Sequence, residues 1–317
     1  MIKTTIAGII ALILFVSCRK KEEPQILAIL SAGPIPAEAV GQFSGEKAFD
    51  HVKNLTDFGP RPPESEGYRK SLTYIENFLQ GLGWKTRRAS FQSDTPIGRI
   101  SFTNLMARFS PDGEPNWRSS PAVLVSGHLD SKRYPDRVFL GVNDSGSSTG
   151  VMLEMARVLS EHKNGAVNIE FVFFDGEEAI LENMIFRKDG LYGSTNYAKQ
   201  LRKRTSMPSL GIVIDLVGDP NVDLLVGKDS SPAAIAETKK AITVLKLEAK
   251  VAFADNSILD DHVPLIVYAN LPVLHLIGDF EKMPYWHKEG ATLETITPGA
   301  LENAGKLTLQ ILHQLTQ

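Results

Sequence analysis

The chain contains the stretch Asn168-Ile-Glu-Phe-Val-Phe-Phe-Asp-Gly-Glu-Glu178, an apolar run that ends in a glycine turn and two adjacent carboxylates. A short, nearly continuous apolar run before a turn residue predicts a buried β-strand. Glu177 and Glu178 then lie at the carboxyl end of that strand. Like charges so close repel, and each raises the pKa of the other. We therefore expect a positive group beside them: a metal ion, a substrate amine or a shared proton.

Other segments of the chain have the same regular character. Short apolar runs at 123–125, 211–217 and 273–277 are typical of strands covered on both faces. Apolar residues recur at helical spacing over 68–82 and 147–159, which predicts two amphipathic helices. Strands alternating with helices predict one α/β sandwich with a largely parallel central sheet.

The composition is that of an ordinary globular protein. Of 317 residues, 43% are hydrophobic and 22% are charged, so there is ample material for a core. The formal net charge of -3 argues against a nucleic-acid partner held by bulk positive charge. No shift in composition divides residues 43–317, which predicts a single domain there.

The N-terminus has the pattern of an export signal. Lys3 precedes a largely apolar stretch at 6–16, which is followed by Ser17 and Cys18. About eleven residues are too few to cross a bilayer, which needs about twenty, so we predict a signal peptide. The apolar run leading to a small residue and then cysteine resembles the lipobox of bacterial lipoproteins. A standard cleaved signal with an incidental cysteine is the alternative.

The predicted organisation is a lipoprotein signal peptide at 1–17, a tether at 18–42 and a domain at 43–317. Cys18 is the single cysteine of the chain and would be lipidated. Because there is no second cysteine, an intramolecular disulfide cannot form. We expect a monomer of the bacterial cell envelope that is anchored to a membrane through this lipid and faces the periplasm or the cell surface.

Acid and histidine side chains recur at the ends of the predicted strands. His128 and Asp130 follow the first predicted strand, Asp144 precedes a helix, and His287 follows the last strand. Imidazole and carboxylate are the ligand types of catalytic zinc. Each alone has an ordinary explanation as a hydrogen-bonded histidine or a helix cap. Their recurrence at strand ends, where open α/β sheets place their sites, favours a metal centre.

Six motifs occur in order along the domain. They are Gly127-His-Leu-Asp-Ser-Lys132, Phe173-Phe-Asp-Gly-Glu-Glu178, Leu191-Tyr-Gly-Ser194, Asp260-Asp-His262, Pro272-Val-Leu-His-Leu-Ile277 and Trp286-His287. Together they resemble the zinc-dependent glutaminyl cyclases of the animal type, within the zinc aminopeptidase clan known as peptidase family M28. The resemblance implies a three-layer sandwich, in which helices flank a central, mostly parallel mixed sheet.

The resemblance also implies an activity. A glutaminyl-peptide cyclotransferase is an aminoacyltransferase that converts the N-terminal Gln of peptides and proteins to pyroglutamate and releases ammonia. By this likeness one zinc ion is held by Asp144, Glu178 and His287 and polarises the γ-amide. Glu177 is then the acid and base that shuttles the proton.

The resemblance assigns roles to three more residues. Asp215 and Asp260 correspond to a catalytic pair that is joined by a short acidic hydrogen bond. A turn residue is the ordinary explanation for each of the two. Trp286 corresponds to an apolar wall of the substrate pocket, although it has the alternative of a core anchor.

The chain departs from the animal enzymes at two places. It lacks their cysteine pair, and it has Glu182-Asn183 where they carry a second pocket tryptophan. We expect the missing wall to be supplied by Phe186, Phe280 or Tyr285.

Two alternative functions remain open. An aminopeptidase of the clan binds two metals, and this chain can supply all five ligands, as His128, Asp144, Glu178, Asp215 and His287. His128 and Asp130 are accordingly expected to hold a second metal or to support the ligands of the first. The long segment 179–190, the doubled acid at 260–261 and Trp286 favour the cyclase. A non-catalytic surface lipoprotein is the third alternative, and the retained Glu177 argues against it.

Overall fold

The computed structural model describes residues 33–288 and 290–317. The predicted signal peptide at 1–17 and the lipidation site Cys18 lie outside the described residues. Within the described part of the chain, no helix combines the length and apolarity needed to cross a membrane.

The centre of the molecule is one eight-stranded mixed sheet. In chain order its strands are β1 (Trp84–Thr95), β2 (Gly98–Phe109), β3 (Val123–His128), β4 (Ile169–Phe174), β5 (Leu210–Asp215), β6 (Leu224–Val226), β7 (Val251–Phe253) and β8 (Val273–Gly278). Their spatial order is β1-β2-β4-β3-β5-β8-β6-β7. The four central strands β4, β3, β5 and β8 are parallel. Antiparallel pairs join β1 to β2, β2 to β4, and β8 to β6.

Nine α-helices of the described residues cover this sheet. They are α1 (Glu38–Gly41), α2 (Gly45–Asp57), α3 (Glu66–Gly81), α4 (Ser148–Glu161), α5 (Lys163–Ala166), α6 (Tyr192–Leu201), α7 (Pro232–Leu245), α8 (His262–Ala269) and α9 (Pro298–Leu315). Several begin at a serine or threonine whose side chain accepts a backbone N–H of the first turn, as Ser65 does from Tyr68 and Thr297 does from Ala300. Such caps satisfy donors that the helix itself leaves free.

The two faces of the sheet carry separate clusters of apolar side chains. Val123, Val125 and Phe171 point to one face, where α2, α3, α4, α7 and α9 pack. Leu124 and Val172 point to the other face, where α6 and α8 pack. Because successive strand residues alternate between faces, a strand covered on both faces is apolar throughout. The predicted α/β sandwich with helices on both sides of a mostly parallel centre is confirmed.

Two parts of the sheet had no counterpart in the sequence prediction. The hairpin β1–β2 forms one edge, and β1 alternates between partly buried and exposed residues, so it lacks a continuous apolar run. Strands β6 and β7 have three residues each. The formation of such short or polar strands depends on pairing with neighbouring strands rather than on their own composition.

Part of the predicted tether packs on the domain. Ile35 and Ala39 are fully buried, and the side chain of His313 in α9 hydrogen-bonds to the backbone oxygen of Ile35 at 2.7 Å. The folded part of the chain therefore includes residues before position 43, which is the boundary that the sequence predicted.

Candidate metal centre and active site

Three of the predicted ligands lie together at the carboxyl edge of the sheet. His287 Nε2 is 3.2 Å from Asp144 Oδ2 and 3.2 Å from Glu178 Oε1. One donor atom from each of the three lies within 4.8 Å of the others. We call Asp144, Glu178 and His287 the ligand trio. Two carboxylate oxygens and one imidazole nitrogen form a donor set that suits catalytic zinc and leaves a coordination position open.

Each member of the trio comes from a different loop. Asp144 lies in the tight turn 142–147, where its backbone is not helical (φ -102°, ψ 88°) and the Asp144–Ser145 peptide bond is cis. Glu178 follows β4. His287 adopts a left-handed backbone conformation with φ 54°, which is uncommon for a residue other than glycine. Its carbonyl oxygen accepts a hydrogen bond from Tyr134 Oη at 2.9 Å.

Asp130 fixes the glutamate pair. Its two carboxylate oxygens accept the backbone N–H groups of Glu177 at 3.1 Å and Glu178 at 3.2 Å. Asp130 is fully buried. The structure therefore places Asp130 as a support for the chain that carries the pair, which is the second of the two roles that the sequence left open for it.

A second group of donors lies beside the trio. His128 Nε2 is 3.1 Å from Asp144 Oδ1 and 3.2 Å from Asp215 Oδ1, and the three donors are again within 4.8 Å of one another. We call His128, Asp144 and Asp215 the second trio. Since Asp144 belongs to both trios, the arrangement can accommodate one or two metal ions.

Glu177 is buried beside His128. Its Oε2 lies 3.9 Å from His128 Nδ1. Burial raises the pKa of Glu177 well above its ordinary value, His128 opposes this rise, and the neighbouring charge of Glu178 reinforces it. A carboxyl that readily takes up and releases a proton is suited to acid and base catalysis.

Asp215 and Asp260 line one cavity together with Glu177, and each is held by a histidine. His128 contacts Asp215, as described above, and His275 Nε2 lies 2.6 Å from Asp260 Oδ2. His275 is fully buried and stacks on His262 with ring centroids 3.9 Å apart. Sequence reasoning assigned no role to His275, because a histidine inside an apolar strand gives no sign of its partner.

Lys132 is a second residue that the sequence did not single out. Its ammonium donates to the carbonyl oxygens of Ala179 at 2.9 Å and Leu181 at 3.0 Å, and lies 3.6 Å from Glu178 Oε2. It therefore ties the loop 179–190 to the metal centre and places a positive charge beside one carboxylate. The sequence feature that could have identified Lys132 is its position at the end of the motif that begins at Gly127.

The trio and Glu177 open into a cavity of about 330 Å³. Its wall contains the apolar residues Met184, Leu216, Ile258, Leu259, Ile277, Phe280 and Trp286. Trp286 stacks on His287 at 4.2 Å, and its Nε1 donates to Asp144 Oδ2 at 3.2 Å. Trp286 therefore contacts two members of the trio as well as lining the cavity.

Two of the residues proposed for the pocket wall lie elsewhere. The hydroxyl of Tyr285 donates to Asp219 at 2.7 Å, and the Tyr285 side chain is absent from the cavity lining. Phe186 instead packs near Tyr268, with ring centroids 6.2 Å apart. Adjacent residues of a loop point in different directions, so a position next to Trp286 does not make Tyr285 a wall. In the structure, Met184, Ile258 and Leu259 accompany Phe280 and Trp286.

The donors of the ligand trio fit a cation. Glu178 Oε1 is buried, and none of the described residues donates a hydrogen bond to it. Burial lowers the pKa of His287, but Glu178 and Asp144 together raise it to about 10. Both findings reflect negative charge that is not fully balanced at the three donors, and a divalent cation between them would balance it.

Comparisons with known proteins identify the family of this chain. The sequence model of peptidase family M28 matches residues 104–312, more than half of the chain, which confirms that resemblance. The chain is 28% identical to the glutaminyl-peptide cyclotransferase of Bos taurus, over 80% of this chain and 79% of the relative. It is 26% identical to that of Dictyostelium discoideum, over 83% and 82%. The crystal structure of the glutaminyl cyclase from an Acidobacteriales bacterium is similar, with a TM-score of 0.74, 27% identity and coverage of 87% of this chain and 96% of that one.

Proposed function

Because this chain belongs to peptidase family M28, we propose that it is a glutaminyl-peptide cyclotransferase that uses one zinc ion. Its substrates would be peptides and proteins with N-terminal Gln, which it would convert to pyroglutamate with release of ammonia. The observation that carries this proposal is that Glu177, the ligand trio and an apolar wall face one cavity. Relatives named glutaminyl-peptide cyclotransferase, which align over about four fifths of the chain, support the choice of reaction.

The reaction replaces the nitrogen of the substrate's γ-amide with the substrate's own α-amine nitrogen. The substrate α-amine attacks its own γ-amide carbonyl carbon, a carbon–nitrogen bond closes the five-membered ring, and the bond to the original amide nitrogen breaks. A zinc ion held by Asp144, Glu178 and His287 would supply Lewis-acid polarisation of the carbonyl oxygen, worth several kcal/mol. Glu177 takes the proton that the amine loses and delivers it to the departing nitrogen, which leaves as ammonia.

Asp215 and Asp260 face the same cavity as Glu177. Burial raises the pKa of Asp215 to about 7, and the nearby His128 opposes this rise. In contrast, the pKa of Asp260 falls to about 2, because its contacts with His275 outweigh the effect of its own burial. We propose that this pair, one carboxyl protonated and one ionised, holds the substrate amide by donating and accepting hydrogen bonds.

The apolar wall suits a small substrate side chain. Phe280 and Trp286 pack with ring centroids 4.7 Å apart and form one side of the cavity. Pockets of a few hundred Å³ that are lined by apolar side chains with a few polar groups are typical of small-molecule sites. Here they would remove water from the glutamine side chain and strengthen its polar contacts.

A second candidate function is a two-metal aminopeptidase. The observation that favours it is the second trio, whose three donor atoms lie within 4.8 Å of one another. In that enzyme Glu177 would take its proton from water rather than from the substrate amine. The two candidates thus differ in metal stoichiometry and in the nucleophile.

One experiment separates them. Purified protein is incubated with a Gln-initiated peptide, a Leu-initiated peptide and a Gln peptide whose α-amine is acetylated, while peptide mass and zinc content are measured. A cyclase removes one ammonia from the first peptide only and holds one zinc. Release of free leucine with two metals per chain would establish the aminopeptidase instead. Activity on the acetylated peptide would exclude attack by the α-amine.

We also propose that the protein is a lipoprotein of the bacterial cell envelope, anchored through Cys18. The support is the apolar stretch that leads to Ser17-Cys18. Mass spectrometry of the protein expressed with its own leader should find an acylated N-terminal cysteine, and Cys18→Ala should abolish acylation and membrane recovery. An unchanged acyl mass in that variant would contradict the anchor.

A further inference from the structure

A chain of hydrogen bonds joins three loops of the metal centre without entering the cavity. Tyr285 Oη donates to Asp219 Oδ2 at 2.7 Å, and Asn143 Nδ2 donates to Tyr285 Oη at 3.2 Å. Asn143 Oδ1 in turn accepts the backbone N–H of Gly218 at 2.8 Å. We call Asn143, Tyr285 and Asp219 the loop lock.

Each member of the loop lock lies close in sequence to a residue of the centre. Asn143 immediately precedes Asp144, Tyr285 is two positions before His287, and Asp219 follows Asp215 on the loop after β5. The bonds therefore connect the turn that carries Asp144 to the loop that carries His287. They also attach both to the segment that follows β5.

Two members of the loop lock are buried, Tyr285 is partly buried, and the polar groups of all three are paired. Asn143 is 1% exposed and Asp219 is 7% exposed. Asp219 Oδ1 accepts the backbone N–H of Asn221 at 2.8 Å, and Asn143 Nδ2 also lies 3.5 Å from Met283 Sδ. Hydrogen bonds to a buried charged group contribute more than neutral ones, so the bond between Tyr285 and Asp219 is the strongest link.

The direction of that link is fixed. Its partner at 2.7 Å, Asp219 Oδ2, is a carboxylate oxygen, which accepts hydrogen bonds and cannot donate them. The hydroxyl therefore keeps its proton and donates to the carboxylate. This leaves an oxygen lone pair to accept from Asn143, which sets the orientation of the Asn143 amide and directs its oxygen to Gly218.

The loops that the lock connects need external support. His287 adopts a left-handed backbone with φ 54° and Asp144 is extended inside a tight turn. The left-handed conformation of His287 is uncommon for a residue other than glycine and needs support from its surroundings. No member of the loop lock lines the cavity in the described structure, so none of them is placed to touch a substrate.

We propose that the loop lock is a positioning device for the metal, in which Tyr285 holds Asp144 and His287 at the separation that zinc requires. This inference rests on the metal site of the proposed function. Residues that orient metal ligands from outside commonly change metal affinity by about 10-fold to 100-fold when they are replaced.

The test is the zinc affinity of Tyr285→Phe, measured on metal-free protein by titration against a competing chelator. The variant keeps the aromatic ring and removes only the hydroxyl. We expect zinc to bind roughly 10-fold or more weakly, while the metal-free protein unfolds near the wild-type midpoint. Tyr197→Phe is the matched control, because it also removes a hydroxyl that donates to a carboxylate, Glu170, at 2.9 Å. Tyr197 lies outside the cavity lining, and its variant should bind zinc as the wild type does.

A double-mutant cycle with Asp219→Ala tests the link itself. If the two side chains act together, the second substitution should weaken zinc binding far less in Tyr285→Phe than in the wild type. Equal zinc affinity of Tyr285→Phe, Tyr197→Phe and the wild type would overturn the inference while leaving the metal site intact. Lost stability without lost affinity would assign the lock to folding alone and also overturn it. A wild-type protein that binds no zinc would remove both the metal site and the inference.

Discussion

Glu177 and Glu178 are adjacent in sequence but have different surroundings. Glu178 Oε1 faces His287 at 3.2 Å, whereas Glu177 Oε2 lies 3.9 Å from His128 Nδ1. The backbone N–H groups of both residues are held by one carboxylate, that of Asp130. The two carboxylates thus face different histidines, although the charge of Glu178 still contributes to the raised pKa of Glu177.

The first prediction separates the two roles. Glu177→Gln removes the proton acceptor without changing the shape of the side chain, so turnover should fall by about 10² to 10⁴ while zinc content stays at the wild-type level. Kinetics of ammonia release and metal analysis of the same preparation provide the measurement. Wild-type turnover in this variant would exclude Glu177 from the mechanism.

His287→Ala is the companion variant. It removes a member of the ligand trio, so we expect both zinc content and turnover to fall. If Glu177→Gln also lost zinc, the division between proton transfer and metal binding would be wrong, because the two glutamates would then share one role.

At the scale of elements, the turn that carries Asp144 depends on how two helices pack. Helix α4 begins at Ser148, directly after this turn. At Gly150 of α4 an added Cβ would lie 2.6 Å from the backbone oxygen of Ala48 and 2.8 Å from Val52 Cγ2, both in α2. The absence of a side chain at Gly150 therefore allows α2 and α4 to approach closely.

Gly150→Ala should consequently destabilise the protein. The clash involves backbone, so the helices must separate, and overpacking of this kind costs about 1–3 kcal/mol. Gly299→Ala in α9 is the control, because nothing lies within 4 Å of its added Cβ. Alanine is the better helix former there, so the control should be neutral or more stable by about 0.5 kcal/mol. Urea denaturation of metal-free samples measures both, and a Gly150→Ala midpoint equal to that of the control would contradict the packing argument.

At the scale of the whole molecule, the centre joins segments that are far apart in the chain. Asp144 and His287 are 143 positions apart, from 287 minus 144, yet their side chains lie 3.2 Å from each other. A metal that binds the folded chain alone stabilises it by mass action. It would do so by connecting loops that follow different strands of the sheet.

Removal of metal should therefore lower the melting temperature. Saturating zinc at about 100 times its dissociation constant stabilises the folded form by roughly 2.7 kcal/mol, which corresponds to a shift of several degrees in a domain of this size. Differential scanning calorimetry with and without a chelator measures the shift. His287→Ala should not respond to the chelator. A wild-type protein whose melting temperature ignores the chelator would refute a metal that links these loops.

The sequence predicted the centre of the fold better than its edges. Strands β3, β4, β5 and β8 were visible because burial on both faces makes them apolar throughout. Edge strand β1 was missed because one of its sides faces solvent and its pattern is mixed. The site follows the same division. Donors at the ends of the strands that the sequence predicts were identified, whereas the residues that contact those donors were not.

Residue type and order along the chain determined the chemistry of this protein. Carboxylates and histidines after the central strands indicated a metal centre, because the carboxyl ends of parallel strands meet at one edge of a sheet. The direction of each side chain and its hydrogen-bond partners were decided by the tertiary structure alone. Tyr285 points to Asp219 and away from the cavity, and His275 reaches Asp260 from inside a strand. A side chain's direction depends on backbone angles and packing that only the assembled loops impose, so neighbours in sequence need not share a role.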